Sequence, residues 1–397
     1  MKIKIKNFGH LSGSNDFIEI KPVTVFCGEQ GSGKSTILKL VSMFSWLEKA
    51  LHREDVPQKF VQQYERFKKT FCSYHNIQSY FRDDTEIEFE GNIFKFSYKN
   101  KKIEITDLKN PEARIAQVMY IPSERNLIGA IEDTEKIKRL PPALLTMIEE
   151  YYHAARSIGN MKLPFGNYEF KYDKLNKVSS LAGENFKIKL NEAASGFQSS
   201  IPLLLVTRYL VDKTNQDNNA DVSAEEMERI RKKINQLLID KTLDKSVQRL
   251  LSSKLRAMLH NNDYFLNIVE EPEQNLYPTT QRQILNELLA AKNRGKDKEN
   301  MLLFSTHSPY MISYLSLAIK AAELKATELS TELNDIVPLE SCVSSEKVAI
   351  YQINDKGQVS LLEEEYNLPS DNNYLNDNLG DINDLFDKLL DIEDKCL

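Results

Sequence analysis

The alternation of apolar and polar residues in the first hundred positions predicts several β-strands. Residues 2–7 alternate Lys with Ile, and residues 17–27 end in a largely apolar run that is typical of a buried strand. Three more alternating runs lie at residues 86–90, 93–98 and 102–106, with turn residues at Gly91-Asn92 and Lys99-Asn100 between them. We therefore expect an antiparallel layer beside a buried parallel strand.

Apolar residues spaced three and four apart predict helices in other segments. One helix is expected to end near His52, and two more are expected over residues 144–155 and 224–260. Buried strands are indicated by short apolar runs at residues 117–121, 265–270 and 302–306. Together these elements predict an α/β fold with a mixed sheet, an antiparallel β layer and helical insertions.

The composition is typical of a globular protein, because 41% of the 397 residues are hydrophobic. No apolar run approaches the length of a membrane span, and the alternating N-terminus differs from the unbroken apolar stretch of a signal peptide. We therefore expect a soluble cytoplasmic protein without a membrane partner. The four cysteines lack C-x-x-C spacing, which indicates reduced thiols without a disulfide framework or a zinc site.

The formal net charge of −6 is spread unevenly along the chain. Residues 362–397 contain eleven Asp or Glu and two Lys, a charge of −9, which leaves about +3 for the rest of the chain. Two basic runs are candidate DNA-binding faces, although solvated helices and hairpins often carry such runs. They comprise Arg66, Lys68 and Lys69 with Tyr64 and Phe67 interleaved, and Lys99, Lys101 and Lys102 around Asn100.

A complete G-x-x-x-x-G-K-[ST] motif lies between the buried strand and the first predicted helix. In such a loop the backbone N–H groups surround phosphates, and the helix N-terminus adds a partial positive charge. The lysine reaches the β- and γ-phosphate oxygens and the serine contacts Mg²⁺, so the sequence predicts binding of ATP with Mg²⁺. The candidate nucleotide ligands are Gly28, Gly31, Ser32, Gly33, Lys34, Ser35 and Thr36, with Ser35 also a candidate metal ligand.

Paired carboxylates, Glu270 and Glu271, end a later apolar run. ATP hydrolysis needs one carboxylate to hold Mg²⁺, usually through water, and another to orient or deprotonate the attacking water. Glu270 fits the first role and Glu271 the second. A strand that enters a solvated acidic turn gives the same pattern, but the phosphate loop favours the catalytic interpretation. His307 follows the next buried strand, where it can reach a γ-phosphate.

This order of motifs resembles the ABC-type ATPase superfamily, in the branch that contains the OLD, RecF and SMC-like proteins. The resemblance covers residues 1–50, 117–125, 190–210 and 264–310. In that family the run from Glu270 to Pro278 is the Walker B motif with the D-loop, and residues 305–309 carry the switch histidine. The resemblance implies a P-loop NTPase core of the ABC type, and a homodimer or higher oligomer that closes around ATP.

Residues 191–199 resemble the family's signature motif, which contacts the γ-phosphate held by the other subunit. Ser195, Gly196 and Gln198 are its candidate nucleotide ligands, although Phe197 departs from the usual Ser-Gly-Gly core. Ser195-Gly196 could equally be a helix N-cap, and the two readings are compatible because a helix N-terminus is itself an anion site. No glutamine stands where the Q-loop is expected. Glu124 and Arg125 therefore remain open candidates for facing the nucleotide.

The motifs divide the chain into six expected regions. These are the N-terminal half of the ATPase core at 1–125, an insertion or short arm at 126–190, the signature helix at 191–212, a helical insertion at 213–262, the C-terminal half of the core at 263–361 and an acidic tail at 362–397.

Three classes of function fit these features. The first is an ATP-dimerised ATPase that acts on DNA or on a partner effector, and the resemblance implies genome maintenance or anti-phage defence. Only about ninety residues follow His307, so a nuclease or toxin effector would be a separate protein. A transporter ATPase is disfavoured by the atypical signature and by the long spacing between Lys34 and Glu270. The third class is an ATP-gated, non-enzymatic scaffold that holds a toxin or nuclease partner.

Overall fold

A central, mostly parallel sheet with antiparallel sheets beside it organises the molecule. The computed structural model describes residues 1–14, 16–132, 134, 137, 139–215, 263–295, 299–325 and 330–394. The predicted helix over 224–260 lies outside the described residues. The expected α/β architecture, with a mixed sheet and an antiparallel layer, is confirmed.

The bounds of the regular elements are as follows. The strands are β1 (Lys2–Phe8), β2 (Leu11–Gly13), β3 (Ile18–Glu19), β4 (Val23–Gly28), β5 (Phe81–Glu90), β6 (Phe94–Lys99), β7 (Lys102–Asp107), β8 (Ala116–Ile121), β9 (Asn160–Lys162), β10 (Glu169–Asp173), β11 (Val178–Ala182), β12 (Lys187–Lys189), β13 (Tyr264–Glu270), β14 (Met301–Thr306), β15 (Val348–Ile353), β16 (Val359–Leu361), β17 (Glu364–Glu365) and β18 (Leu368–Pro369). The helices are α1 (Lys34–His52), α2 (Gln58–Val61), α3 (Asn126–Ala130), α4 (Pro142–Ile158), α5 (Ser195–Asn215), α6 (Pro278–Asn293), α7 (Pro309–Leu324), α8 (Ser330–Ile336) and α9 (Tyr374–Asp394).

The central sheet has the strand order β16-β15-β4-β14-β13-β8. All of its neighbouring pairs are parallel except β15 with β16. Its parallel strands therefore end at one common edge. In register, Glu270 lies beside Ser305, and Thr306 lies beside Cys27. The residues that follow β4, β8, β13 and β14 are consequently brought together at this carboxyl edge, where α/β sheets commonly bind ligands.

Side chains of the central strands point alternately into two hydrophobic cores. Val25 of β4 belongs to one core and Phe26 to the other. The first core holds the buried faces of α4, α5, α6 and α7, and the second holds α1 and the antiparallel sheet that contains β1. Because both faces of the sheet are covered, its strands are nearly continuous apolar runs.

The antiparallel sheet beside α1 has the order β2-β1-β5-β6-β7, with β3 also paired to β1.

Two local features differ from the sequence-based expectation. The expected strand region 17–27 is divided into β3 and β4, because Pro22 cannot donate a ladder hydrogen bond. The hairpin between β6 and β7 turns at Asn100-Lys101, one residue later than expected, with positive φ at both positions, 51° and 62°.

The outward face of this sheet is covered by lysines paired with glutamates. Ion pairs join Lys2 to Glu90, Lys95 to Glu88 and Lys99 to Glu86. Lys101 pairs with Asp83, and Lys69 pairs with Glu65. Lys69, Lys99 and Lys101 of the two predicted basic runs therefore have carboxylate partners, which reduces the positive potential these three lysines offer to a polyanion.

The predicted insertion at 126–190 contains α3, α4 and a four-stranded antiparallel sheet of β9 to β12. α4 packs into the core of the central sheet through buried residues such as Met147 and Tyr151. No helix within the described residues is long and apolar enough to cross a bilayer.

Candidate active site

The phosphate loop leaves β4 at Gly28 and enters α1 at Lys34. A Cβ at Gly28 would lie 2.3 Å from the carbonyl oxygen of Ile353, and one at Gly33 would lie 2.6 Å from the side chain of Leu11. Their φ angles of 144° and 111° are also unfavourable for residues with side chains. Both positions therefore require glycine. No acidic residue lies in the first turn of α1, which keeps the partial positive charge of this N-terminus available to an anion.

Lys34 is 4% exposed and its ammonium group turns back onto the loop. Its Nζ donates hydrogen bonds to the carbonyl oxygens of Gly28 at 2.9 Å and Glu29 at 2.6 Å. Burial lowers the pKa of Lys34 to about 8, and the charges of Glu271 and Glu273 act in the opposite direction. The group is therefore mostly protonated at neutral pH, beside the two carboxylates of the next motif.

The other predicted loop ligands surround this lysine. Ser32 and Thr36 are buried, Ser35 is partly exposed and Gly31 is exposed. A Cβ at Gly31 would meet nothing within 4 Å, so open space lies beside the middle of the loop. A phosphate chain needs such space next to the backbone N–H groups.

Glu270 ends β13 as a buried carboxylate that is 3% exposed. Its Oε2 accepts a hydrogen bond from the backbone N–H of Ser123 at 3.1 Å, and its Oε1 has no hydrogen-bond partner among the residues that the structure describes. The ammonium of Lys39, on α1, lies 4.0 Å from that oxygen. A buried carboxylate oxygen without a hydrogen bond is costly, and a cation compensates this cost. Glu270 therefore fits the requirements of a Mg²⁺ ligand, in a site that phosphate oxygens and water complete, and Ser35 lies one helical turn before Lys39 on α1.

Glu271 has a φ of 43°, a left-handed backbone conformation that is unusual for a residue with a side chain. Its N–H donates to the carbonyl oxygen of Ser305 at 3.1 Å, and its Oε1 lies 3.4 Å from Nε2 of His307. The hydrogen bond from His307 lowers the pKa of Glu271, with help from the charges of Lys34 and Arg125. Glu271 is therefore a carboxylate at neutral pH, held by a strained turn.

Glu273 fixes the position of the His307 loop. Its Oε1 accepts hydrogen bonds from the hydroxyl of Thr306 and from the N–H of His307, both at 2.8 Å. Burial raises the pKa of Glu273, which is 9% exposed. No role was predicted for this residue. In the sequence it is the third glutamate of the run Glu270-Glu271-Pro272-Glu273, and this position next to the paired carboxylates is the signal that could have indicated a role.

The predicted signature residues begin α5 and contact the turn after Glu271. A Cβ at Gly196 would lie 2.8 Å from the carbonyl oxygen of Asn275. The side-chain amide of Gln198 donates to the carbonyl oxygens of Asn191 and Ala193 at 3.1 and 2.9 Å. It therefore bonds the first turn of α5 to the segment that precedes the helix. Ser195 is exposed at the tip of the helix.

Phe197 replaces the expected second glycine for a reason visible in the packing. Its ring lies 5.7 Å from the ring of Phe165 and 5.1 Å from that of Tyr168, centroid to centroid. Both partners lie in the loop between β9 and β10. The aromatic side chain therefore anchors the four-stranded sheet to the first turn of α5.

The structure thus brings most of the predicted residues together at the carboxyl edge of the central sheet. Among the described contacts, Glu271 lies against His307 and feels the charge of Lys34, whereas the adjacent Glu270 lies near Lys39. None of the described contacts joins Ser195 or Gly196 to the phosphate loop of the same chain. Glu124 is exposed, and Arg125 is fully buried. Arg125 therefore does not face a nucleotide.

Comparisons with known proteins give structural likenesses of low score. No protein-family model matches the sequence, and no curated protein matches it either. The chain is similar to the SMC head domain from Thermotoga maritima at 12% identity and a TM-score of 0.37, covering 92% of this chain and 98% of that one. It is similar to an SMC head bound to the C-winged helix domain of ScpA at 10% identity and a TM-score of 0.39, with coverages of 92% and 98%.

A nucleotide-free ATP-binding cassette from an ABC transporter is also similar, at 13% identity and a TM-score of 0.28, covering 92% of this chain and 93% of that one. At such low scores these likenesses say nothing about activity. Any activity must be inferred from the site itself.

Proposed function

We propose that this chain is an ATPase of the ABC type that binds ATP with Mg²⁺ and dimerises around it. The observation that carries the proposal is the convergence of Lys34, Glu270, Glu271 and His307 at one edge of a parallel sheet. The phosphate loop alone supports nucleotide binding. Two carboxylates and an imidazole at the same edge of the sheet add the groups that hydrolysis requires.

The loop N–H groups and the N-terminus of α1 bind the β- and γ-phosphates. When the nucleotide binds, Lys34 gives up its hydrogen bonds to the loop carbonyl oxygens and donates to phosphate oxygens instead. Ser35 and Glu270 would hold Mg²⁺, which when bound neutralises phosphate charge. Lys39 pairs with Glu270 across 4.0 Å and keeps part of that carboxylate's charge compensated. The protein therefore presents positive charge to the nucleotide before any chemical step.

Glu271 orients the attacking water, and His307 holds Glu271. A carboxylate whose pKa is lowered is a weak proton acceptor, so its main contribution is to position the water and to stabilise charge as the bond breaks. The strained φ of 43° directs the side chain of Glu271 from the end of β13 towards the space beside Lys34.

The signature residues complete the site of a second copy. Ser195 is exposed at the N-terminus of α5, where helix N–H groups attract anions, and the described contacts of Gly196 are with the D-loop instead of the phosphate loop. This arrangement supports a head-to-tail ATP dimer in which each α5 faces the γ-phosphate of the partner subunit.

A protein partner fits this chain better than DNA as the target of the ATP cycle. Three of the six basic residues in the candidate runs, Lys69, Lys99 and Lys101, are paired with carboxylates, whereas the acidic helix α9 exposes large apolar side chains. This exposed face also favours the second candidate function, an ATP-gated scaffold that holds an effector, over a role in transport. Anti-phage defence or genome maintenance follows from the family resemblance alone.

Two substitutions test the ATPase proposal. Lys34→Ala should abolish ATP binding, since it removes the charge that meets the phosphates. Glu271→Gln should retain binding and slow hydrolysis by at least about hundredfold, so that an ATP-stabilised dimer accumulates in size-exclusion chromatography.

Matched controls come from the exposed ion pair of Lys320 and Glu323 on α7. Lys320→Ala and Glu323→Gln change the same charges far from the site and should behave as the wild type. Wild-type hydrolysis by both Lys34→Ala and Glu271→Gln would refute the proposal. Tight ATP binding by a wild type that does not hydrolyse ATP would favour the scaffold.

A further inference from the structure

Arg125 is a cation placed entirely inside the protein. It ends the short turn that follows β8, and its side chain is 0% exposed. A buried guanidinium is costly unless its donors are satisfied, so its partners identify what it stabilises.

All described partners of Arg125 are backbone carbonyl oxygens. Nη1 donates to Glu270 at 2.6 Å and to Pro122 at 3.2 Å, and Nη2 donates to Glu271 at 2.6 Å. Nε donates to Ser199, in the first turns of α5, at 3.2 Å. One rigid planar group therefore joins the end of β8, the turn that carries the paired carboxylates, and the signature helix.

The bonds to Glu270 and Glu271 hold both carbonyls on either side of a strained residue. A φ of 43° at Glu271 persists only where surrounding groups fix the peptide units that flank it. Burial lowers the pKa of Arg125 to about 10, and the neighbouring carboxylates oppose this shift, so the cation keeps its proton at neutral pH.

We propose that Arg125 is a positioning residue that holds the carboxylate turn in its strained conformation and transmits movements of the first turns of α5 to Glu271. This inference rests on the proposed ATPase function and specifies its regulation. Docking of a second subunit on α5 would then adjust the catalytic carboxylate through a path inside one chain, in addition to supplying Ser195 in trans.

A second contact limits how α5 can move relative to Arg125. Gly129, on α3, lies so close to α5 that a Cβ there would be 2.6 Å from Cα of Gln198. Since Gln198 precedes Ser199, a side chain at position 129 must displace the part of α5 to which Arg125 is bonded. Substitution of Gly129 therefore tests the proposed coupling of α5 to Glu271 while Arg125 stays in place.

The first test uses Arg125→Lys, which keeps the charge but cannot span carbonyls on three segments. We expect an ATP dissociation constant within about threefold of wild type and a kcat lower by roughly ten- to hundredfold, as for loss of hydrogen bonds to a charged group. Arg125→Ala should lose the same activity and regain part of it when millimolar guanidinium is added. This assay is run well below the melting temperature of the Arg125→Ala protein, so that rescue of kcat does not come from a larger folded fraction.

Arg208→Lys is the matched control. Arg208 bonds the middle of α5 to Glu287 of α6 at 2.7 Å, and none of its described hydrogen bonds or ion pairs reaches the carboxylate turn. Its substitution should leave kcat unchanged. If Arg125→Lys lowers the melting temperature but leaves kcat at the wild-type value, Arg125 only stabilises the fold and the inference is overturned.

Gly129→Ala decides the question should the Arg125 variants fail to fold. Displacement of α5 at Gln198 should lower kcat at unchanged ATP affinity. A wild-type kcat in a folded Gly129→Ala protein would overturn the proposal that Arg125 transmits movements of α5 to Glu271. Failure of the ATPase proposal itself would be distinct, because the wild type and the Arg208→Lys control would then show no turnover.

Discussion

At the scale of single residues, His75 is a buried imidazole with no described hydrogen bond at either ring nitrogen. Its ring packs edge-to-face against Tyr74 and Tyr120, at centroid distances of 4.8 and 4.7 Å. Burial is the main reason that the pKa of His75 falls to about 3, with a smaller contribution from Lys39. The side chain acts as a neutral aromatic group that a proton would destabilise.

Acid should therefore destabilise the protein through His75. As pH falls below the unfolded-state pKa of 6.5, His75 binds a proton in the unfolded chain. In the folded chain it stays unprotonated down to about pH 3. The free energy of unfolding should fall in this window by up to about 1.4 kcal/mol per pH unit from this group alone. His75→Met should remove that slope, as measured by denaturant unfolding at a series of pH values.

His153→Met, at an exposed position on α4, is the matched control and should keep the wild-type slope. At pH 8 the His75→Met protein should lose no more than about 1–3 kcal/mol, from the two ring contacts with Tyr74 and Tyr120, because no described hydrogen bond is lost. An unchanged acid slope in His75→Met would show that other groups dominate.

At the scale of elements, the strands and helices with strong periodicity were predictable. The helix ending at His52 and the strands before Glu271 and His307 are confirmed, because their patterns come from burial of one face or both. The contacts of Arg125 and Phe197 were not predictable. They join segments distant in the chain, such as Arg125 and Glu270, and only the folded topology places those segments side by side.

The predicted acidic tail divides into two parts in the structure. Leu362 and Leu375 are buried at 4% and 8% exposure and belong to the main core. By contrast, the far end of α9 exposes five large apolar side chains by 43–62% of their area. These are Leu385, Phe386, Leu389, Leu390 and Ile392.

Truncation should separate these two parts. Deletion of residues 378–397 should leave the melting temperature and ATPase rate close to wild type, since the described core contacts precede it. Deletion of residues 362–397 should cost about 3–6 kcal/mol, from loss of two buried leucines, and should lower the melting temperature strongly. Equal melting temperatures for the two deletions would contradict this division.

At the scale of the whole molecule, the decisive question is whether two chains share each active site. Gly196 is a poor position for a test, because an aspartate there would collide with the carbonyl of Asn275 in its own chain. Ser195 is exposed, and an aspartate at that position would repel a phosphate of the partner without a local clash.

Mixed dimers of Lys34→Ala and Ser195→Asp chains, both in a Glu271→Gln background, should contain one intact and one doubly damaged site. We expect these heterodimers to trap about one ATP per dimer and each parent to trap almost none. Trapping by co-purified heterodimers is measured with radiolabelled ATP after gel filtration. Heterodimers that trap no more than their parents would show that Ser195 does not act across the interface.

The place of β4 in the central sheet also has a consequence for biosynthesis. This strand delivers the phosphate loop, yet its two neighbours, β14 and β15, come from residues 301–306 and 348–353. A ribosome needs on the order of tens of seconds to travel from the codons of β4 to those of β14. During that time β4 has both edges unpaired, so the nascent chain carries an aggregation-prone strand and an incomplete nucleotide site. If the proposed site binds ATP, the nucleotide can assist folding only after β14 and β15 have emerged.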